Sequence, residues 1–370
     1  MSNVESAPYS EVTIDADTLR AFVVAIWQAA GSEAREAQLV ADHLVEANLA
    51  GHDSHGVGMI PRYMSSCRSG ELKLNAHAQL ARDAGAVLTI EGALGFGQVV
   101  AYEAMQQGIE RAQRLGICAV GLRNAHHIGR IGHWAEQCAR EGLVSFHFVN
   151  VAGDPLVAPF GGIDRRFGTN PFCAAFPRAG RTPLVLDFAT SAIAAGKVRV
   201  AFNKGVKAPE GALIDVDGRP TRDPGALFSE GQHGALLAFG GAVAGHKGSG
   251  LAAMCEIFAG ALSGGFTSRT ETIVSGHAIV NCMLSVIVNP EAFDAPDKDS
   301  EADAFVAWLK ATRRVEGVDE VLLPGEREEA TRRTRGAQGI PVDATSWAQI
   351  VEAARLAGMT DAAIAAYPAH

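Results

Sequence analysis

The chain has 370 residues, of which 48% are hydrophobic and 20% charged, with a formal net charge of -9. Its length exceeds a typical single domain and leaves ample material for a core, so two lobes are expected. The acidic balance argues against nucleic acid as a partner, because phosphate backbones reward Lys/Arg clusters, and the weakly charged stretch Gly231 to Gly245 is too short and glycine-broken to span a membrane.

The first ten or so residues are polar and are expected to fray. From Asp17 to Ala30, Leu19, Phe22, Val23, Ile26 and Trp27 recur with a helical period, and Asp15 or Asp17 supplies the cap. A second helix starts at Ser32-Glu33, and its Ala37, Val40, Ala41, Leu44 and Val45 fall on one face. It delivers the chain to Gly51-His52-Asp53-Ser54-His55-Gly56, where two imidazoles, a carboxylate and a hydroxyl lie between two glycines. Each polar group would need a partner if buried, so the string suits a core poorly. A helix end is, however, a rigid launching point for a functional loop.

After a polar linker near Ser69 to Lys73 the rhythm alternates. Strands are expected at Ala86–Ile90, Ile117–Leu122, Leu143–Val149, Phe172–Phe176 and Leu184–Phe188, with helices at Gln98–Arg114 and Ile131–Arg140. A helix at Ser249–Leu262 precedes an apolar run at Ala278–Val288. The tail returns to helix at Glu301–Arg313, Trp347–Ala357 and Asp361–Ala366, and is expected to fold back onto the N-terminal part. The layout is thus a helical part at 1–80, joined by a helical tail at 300–370, around an α/β domain at 81–299.

The six cysteines (Cys67, Cys118, Cys138, Cys173, Cys255 and Cys282) are scattered, mostly in apolar runs, with no C-x-x-C pair. With no signal-peptide pattern at Met1-Ser2-Asn3-Val4-Glu5, a reduced, cytoplasmic setting is expected.

Standard chemical motifs are absent. Gly92-Ala93-Leu94-Gly95-Phe96-Gly97 lies between a strand and a helix, but Val100 stands where the dinucleotide fingerprint needs its third glycine. No acidic residue ends the next strand at Leu122-Arg123-Asn124, so a plain strand-to-helix turn is the better reading. Gly241 to Lys247 misses the P-loop, since glycine rather than Ser/Thr follows Lys247. His126 and His127 are adjacent, so their side chains diverge, and there is no H-E-x-x-H. Asp215-x-Asp217-Gly218 lacks the closing Glu of a calcium loop and reads as a turn. There is no G-x-S-x-G, and Ser54-His55 are neighbours, which rarely couple as nucleophile and base.

What remains is a set of glycine-bracketed polar clusters: Asp53 to Gly56; Asn124 to Arg130; Pro159 to Gly162 with Gly168-Thr169-Asn170-Pro171; Asp187 to Ser191; and Gly245 to Gly250. Each alone has a structural reading, as a capped helix, a satisfied histidine or a tight turn. Asp187 ends an apolar run, where sheet enzymes place catalytic carboxylates. Thr169 and Asn170 lie in a turn that can present backbone N–H groups to a ligand. Lys247, flanked by His246 and Gly248 in a glycine-rich helix start, is placed to meet a phosphate.

In order and wording these clusters resemble the malate/L-lactate (sulfolactate) dehydrogenase family, nicotinamide-dependent oxidoreductases without a Rossmann fold. The resemblance runs from about Asp17 to Val342. It is carried by Asp53-Ser54-His55-Gly56 with Pro61-Arg62-Tyr63, Asn124 to Gly129, Pro159 to Gly162, Gly168 to Pro171, Leu186 to Ser191 with Gly196-Lys197, and Lys247 to Gly250. It implies an α/β fold in which a mixed-sheet, non-Rossmann dinucleotide-binding domain joins a mainly helical domain built from both chain ends. It also implies a homodimer with active sites near the subunit interface, and NADH or NADPH as cofactor.

The substrate class implied is a 2-oxo or 2-hydroxy acid, or a cyclic imino acid such as a piperideine- or pyrroline-2-carboxylate. Carried over by motif, His55 is the proton donor and acceptor, Asp187 a carboxylate near it and the nicotinamide, and His127 a further catalytic histidine. Ser54, Met59 and Arg62 fall to the substrate. Lys247 with its neighbours, the segment Asp187, Phe188, Ala189 and Thr190, and the turn at Gly325 and Glu326 fall to the dinucleotide. Histidine titrates near neutrality, which suits a group that neutralises charge building on a carbonyl oxygen or imine nitrogen, and Asp187 can fix its tautomer.

One departure stands out. Many members carry an arginine four residues after the catalytic histidine, where it can grip a substrate carboxylate as a fork. This chain has Met59 there. Either Arg62, Arg130 or another cation takes over, or the substrate is more apolar at that point, which disfavours malate. The competing reading, a metal-dependent hydrolase, would lose activity with chelator and ignore nicotinamide.

Overall fold

The computed structural model describes residues 11–153, 155–203, 205–231, 233–269, 271 and 278–369. The chain divides into two compact units, Met1–Asn75 with Glu328–His370, and Ala76–Arg327. Among the described residues no helix is long and apolar enough to cross a membrane.

Strand β1 (Glu11–Ile14) leads into α1 (Ala16–Ala30), α2 (Ala34–Leu49) and, past the His55 loop, α3 (Ile60–Arg68). Asp15 caps α1, its carboxylate accepting the N–H groups of Asp17 and Thr18 at 3.0 and 2.9 Å. With that start, Leu19, Phe22, Val23, Ile26 and Trp27 share one face and are all buried.

The second unit is organised on one large sheet. Strands β2 (Gln79–Asp83) and β3 (Val87–Glu91) precede α4 (Gly97–Leu115), β4 (Ile117–His126) and α5 (Gly132–Arg140). Strands β5 (Val144–Ala152), β6 (Phe172–Phe176) and β7 (Leu184–Phe188) follow, then α6 (Ala195–Asn203). A small sheet of β8 (Leu213–Ile214), β9 (Pro220–Thr221) and β10 (Ala235–Leu236), with α7 (Gly225–Phe228), comes next. Helix α8 (Gly241–Cys255) continues as a π-helical turn over Glu256–Ala261, followed by β11 (Val280–Val288) and α9 (Lys298–Lys310).

Across the large sheet the order is β2-β3-β4-β11-β5-β6-β7, and only β3 and β4 run parallel. A Rossmann sheet is mostly parallel. The fold is therefore a mixed α/β one of non-Rossmann type, as the missing fingerprint requires. Val100, Met105 and Trp134 from α4 and α5 pack with Leu88, Val120, Val149, Cys173 and Ile287 into the main core.

The chain ends with α10 (Glu326–Gln338), β12 (Ile340–Asp343), α11 (Ala344–Leu356) and the short α12 (Asp361–Ile364). Strand β12 pairs antiparallel with β1, from Ile14↔Ile340 to Glu11↔Asp343. The rings of Trp347 and Tyr367 lie 5.5 and 5.1 Å from that of Phe22. The first unit thus draws on both ends of the sequence.

Several elements depart from the sequence reading. Strand β4 continues past Leu122 because Ala125 and His126 pair with Asn281 and Val280 of β11, a register invisible in so polar a segment. Helix α8 begins at Gly241 rather than Ser249. Its glycines disfavour a helix locally, yet Gly245 lies against the Phe160 ring and Gly248 against the Phe239 backbone, so their smallness is used for close packing. Gly97 explains the false fingerprint: a Cβ there would collide with the carbonyls of His126 and His127, so the glycine seats the start of α4 on the end of β4. Helix α10 was not anticipated at all, because Glu326 to Gln338 contains no apolar stripe and none of its residues is buried.

Candidate active site

In the first unit, His55 ends a 3-10 turn, Asp53–His55, and a second turn, Val57–Met59, follows at once. Ser54 and Arg62 are exposed, whereas His55 and Met59 are partly buried. Asp53 is held on several sides. It accepts from Asn48 Nδ2 at 2.7 Å and from Arg335 Nη1 and Nη2 at 2.6 and 3.0 Å. His52 Nε2 lies 3.3 Å from Glu328 Oε1. Arg335 and Glu328 belong to α10, the helix the sequence reading missed. The signal that could have revealed it is the Glu328-x-x-x-Arg332 spacing, an i,i+4 acid-to-base pair that supports a charged helix.

In the second unit, Asp187 is the penultimate residue of β7. Its Oδ2 accepts the backbone N–H of Gly132 at 2.7 Å, at the start of α5. Beside it lies Arg130, 2% exposed, whose Nη2 is 2.5 Å from Glu136 Oε2. Burial works against the Arg130 charge, but the carboxylates of Glu136 and Asp187 outweigh it and hold the guanidinium pKa above its ordinary value. A guanidinium so engaged faces its own carboxylates, which removes Arg130 as a receptor for a substrate carboxylate. Cys173, the cross-strand partner of Asp187, has its thiol pushed well up by burial and then by the Asp187 charge. His127 follows β4 directly and is 7% exposed.

The remaining clusters are tied to β7 and to the segment that follows it. Thr190 donates from Oγ1 to the carbonyls of Thr169 and Asn170 at 3.1 and 3.0 Å, and its N–H donates to Thr169 O at 2.9 Å. Thr190 O accepts from the Phe239 N–H at 2.7 Å, and Phe239 lies against Gly248 of α8. The Phe160 N–H donates to Ser249 Oγ at 3.0 Å, and the Phe160 ring stands edge-on to His246 at 5.8 Å. Pro324 O accepts from Val185 N–H at 3.2 Å, which seats the Gly325 turn on β7. The segments around Arg130, Pro159, Gly168, Asp187, Gly245 and Pro324, dispersed in sequence, are thereby linked through β7 and α8.

Their side chains are not equivalent. His246 and Lys247 are exposed, in the second turn of α8 rather than at its first residue, and Phe188 and Ala189 are partly exposed. Thr169 is partly exposed, but Asn170 and Thr190 are fully buried. Asn170 Nδ2 donates to Glu256 Oε1 at 2.8 Å, and Glu326 bonds Lys310 Nζ at 2.7 Å and the Leu323 N–H at 2.9 Å. The side chains of Asn170, Thr190 and Glu326 are engaged within the unit, and the Thr190 N–H and carbonyl are engaged as well, so these residues shape the surface around Thr169 and Gly325 rather than offer it free polar groups. The donor set nevertheless suits a dinucleotide. Lys247 is an exposed cation of the kind a phosphate would need, α8 starts without a side-chain cap, and Phe160 and Phe239 leave about half their surface exposed, as a flat ring would need.

Known proteins resemble this chain over nearly its whole length. Residues 14–351 match the malate/L-lactate dehydrogenase family. Hydroxycarboxylate dehydrogenase B of Escherichia coli K12 is 56% identical over 354 residues, covering 95% of this chain and 96% of that protein. The solved malate dehydrogenase of Pyrococcus horikoshii OT3 superposes with a TM-score of 0.83 at 31% identity, covering 96% of this chain and 99% of that one. The Δ1-piperideine-2-carboxylate reductase of Pseudomonas syringae pvar. tomato gives a TM-score of 0.80 at 30% identity, covering 92% and 99%. With its mixed sheet, its glycine-bracketed clusters and these relatives, the chain belongs to the malate/L-lactate dehydrogenase family and is an oxidoreductase acting on a hydroxy acid.

Proposed function

We propose that the chain moves a hydride between a nicotinamide dinucleotide, NADH or NADPH, and C2 of a 2-oxo or 2-hydroxy acid, with His55 as proton donor and acceptor. The observation that carries this reading is the linkage of the dispersed polar clusters through β7 and the segment that follows it, with Asp187 held by Gly132 and exposed Lys247 and His246 on α8. The bound nicotinamide supplies or accepts the hydride. Lys247, His246 and Gly248 hold the phosphates. The backbone of Thr169, Asn170, Ala189, Thr190, Gly325 and Glu326 and the ring of Phe188 line the rest. Asp187 and His127 orient the reacting end. His55 gives its proton to the oxygen that gains charge on reduction and takes it back on oxidation, as histidine titrates near neutrality. Ser54 and Arg62 contact the substrate.

Met59 shapes the choice of substrate. A thioether offers apolar contact and no fork for a second carboxylate, so the reading favours 2-oxo acids with an apolar side over malate. A cyclic imino acid is the second reading, favoured by the likeness to the piperideine-carboxylate reductase. In that case His55 protonates the imine nitrogen.

A homodimer is part of the proposal. In register across six strands, Val87, Ala119, Val286, Phe146, Ala174 and Leu186 form one apolar row. Val87, Phe146 and Leu186 are 49%, 40% and 42% exposed, and such a contiguous apolar face suits a second copy. Six free thiols, five of them buried, are in keeping with a reducing, cytoplasmic setting.

The test is a fluorescence titration with NADH and NADPH, then an acceptor panel of 2-oxo acids and cyclic imines, run on the parent, His55→Ala and His55→Gln. General acid–base catalysis is worth a factor of about 10² to 10⁴. The variants should lose at least that lower factor while still binding dinucleotide, and activity within tenfold of the parent would remove His55 from the role.

A further inference from the structure

We propose that Arg335, on α10, is a positioning residue for His55, acting through Asp53 and Asn48; the inference rests on the reading of His55 as the acid/base. The turn that carries His55 is anchored at both ends. At its front, Asp53 receives both terminal nitrogens of Arg335, at 2.6 and 3.0 Å, and Asn48 Nδ2 at 2.7 Å. Behind it, the Val57 N–H donates to Asn48 Oδ1 at 2.8 Å. Gly56 sits so close to that amide that a Cβ would collide with it. Arg335 closes the circuit by donating from Nη1 to the carbonyl of Asn48. Only Ser54, His55 and Gly56 lie between the anchored residues.

Helix α10 carries a polar stripe where a core helix would carry an apolar one, and from that stripe Arg335 bonds to Asp53 and Asn48. Glu328, Arg332 and Arg335 follow i, i+4, i+7 spacing and meet His52, Glu46 and Asp53 respectively. The Asp53 side chain is 51% exposed, and ion pairs this open to water add little to stability. The forked geometry instead specifies direction and distance, since a guanidinium holds a carboxylate in one plane where an ammonium holds it only by charge. A small displacement of a catalytic group is costly: about 1 Å can lose on the order of a hundredfold in rate.

The experiment compares Arg335→Ala, Arg335→Lys and, as a control of equal charge on the same helix, Arg332→Ala, with His55→Gln alongside. Arg335→Ala is expected to lower kcat by about 10- to 100-fold, with the KM for dinucleotide unchanged and Tm within about 2 °C of the parent. Added guanidinium ion should restore part of the loss where ammonium does not, Arg335→Lys should recover little, and Arg332→Ala should keep parental kcat. Parental kcat in Arg335→Ala, a loss matched by Arg332→Ala, or a loss that follows Tm and dinucleotide KM would overturn the positioning role. The two levels separate cleanly. An active His55→Gln removes the acid/base reading, whereas an inactive His55→Gln beside an unimpaired Arg335→Ala removes only the role of Arg335.

Discussion

The backbone N–H of Gly132 and the Oδ2 of Asp187 lie 2.7 Å apart, although 55 residues separate them in sequence. Through this bond the first turn of α5 holds the carboxylate at the end of β7. The first residue of a helix has an N–H with no intrahelical acceptor, and a carboxylate is its natural partner. Gly132 leaves room for that approach. A Cβ at this position would lie 2.9 Å from Oδ2 and would collide with the Arg130 guanidinium. Gly132→Ala is therefore expected to displace Asp187 and lower kcat by at least about tenfold. It should destabilise the fold by about 1–3 kcal/mol through overpacking. Steady-state kinetics and thermal unfolding on one preparation check both, and a variant with parental kcat would show that the placement of Asp187 is unimportant.

Glu256 lies in the π-helical turn, is 6% exposed, and accepts four hydrogen bonds. They come from Asn150 Nδ2 at 3.0 Å, Asn170 Nδ2 at 2.8 Å, and the N–H and hydroxyl of Ser268 at 3.0 and 2.9 Å. Glu256→Gln turns one acceptor oxygen into a donor that faces other donors. The expected cost is about 1–3 kcal/mol, seen as a lower Tm, together with weaker dinucleotide binding by fluorescence titration as the Gly168–Pro171 turn loosens. Unchanged dinucleotide affinity would uncouple this carboxylate from the cofactor site.

His147 is completely buried between the hydroxyls of Ser285 and Ser145, at 2.8 and 3.0 Å. Burial pushes its pKa down to about 3 from an ordinary 6.5. The folded state therefore keeps His147 neutral while the unfolded chain takes up a proton below pH 6.5. The unfolded state binds more protons between pH 6.5 and 3, so stability is unaffected by this group above that window and falls as pH drops through it. His147→Gln, which does not titrate, should show a shallower fall of Tm between pH 6.5 and 3. Superimposable slopes for the two proteins would exclude His147 as a source of acid sensitivity.

Met59 predicts a substrate preference. Met59→Arg introduces a guanidinium able to fork a carboxylate, so the ratio of kcat/KM on malate to that on apolar 2-oxo acids should rise by about tenfold or more. An unchanged ratio would detach this position from substrate choice.

The apolar row predicts assembly. Phe146→Glu and Leu186→Glu each place a charge on the open sheet face, and both should shift sedimentation toward the monomer without unfolding the chain. Burying an unpaired carboxylate is prohibitive in an interface and harmless on a free surface. A parent that sediments as a monomer would refute the proposed dimer.

Local pattern carried the elements whose apolar residues recur with a period. The buried face of α1, the strands Phe172–Phe176 and Leu184–Phe188, and the helices near Gln98–Arg114 and Ile131–Arg140 all lie close to where residue spacing placed them. What failed was structure held by other means. Helix α10 is a charged helix with no apolar stripe, α8 begins in glycines that packing demands and propensity disfavours, and β1 and β12 find each other only across most of the chain. Polar and glycine-rich segments carry little periodic information, so their state depends on partners remote in sequence.

The candidate site divides in the same way. By itself the sequence determined the residue types: the glycine-bracketed clusters, the missing Rossmann fingerprint, the family resemblance, and Met59 in place of an arginine. Tertiary structure alone decided what each side chain is bound to. Arg130 faces Glu136 and Asp187 rather than solvent, Asn170 is committed to Glu256, and Arg335 closes on Asp53. A motif records which groups are available, but burial and hydrogen-bond geometry decide which of them are already satisfied, and those relations join residues from tens to hundreds of positions apart.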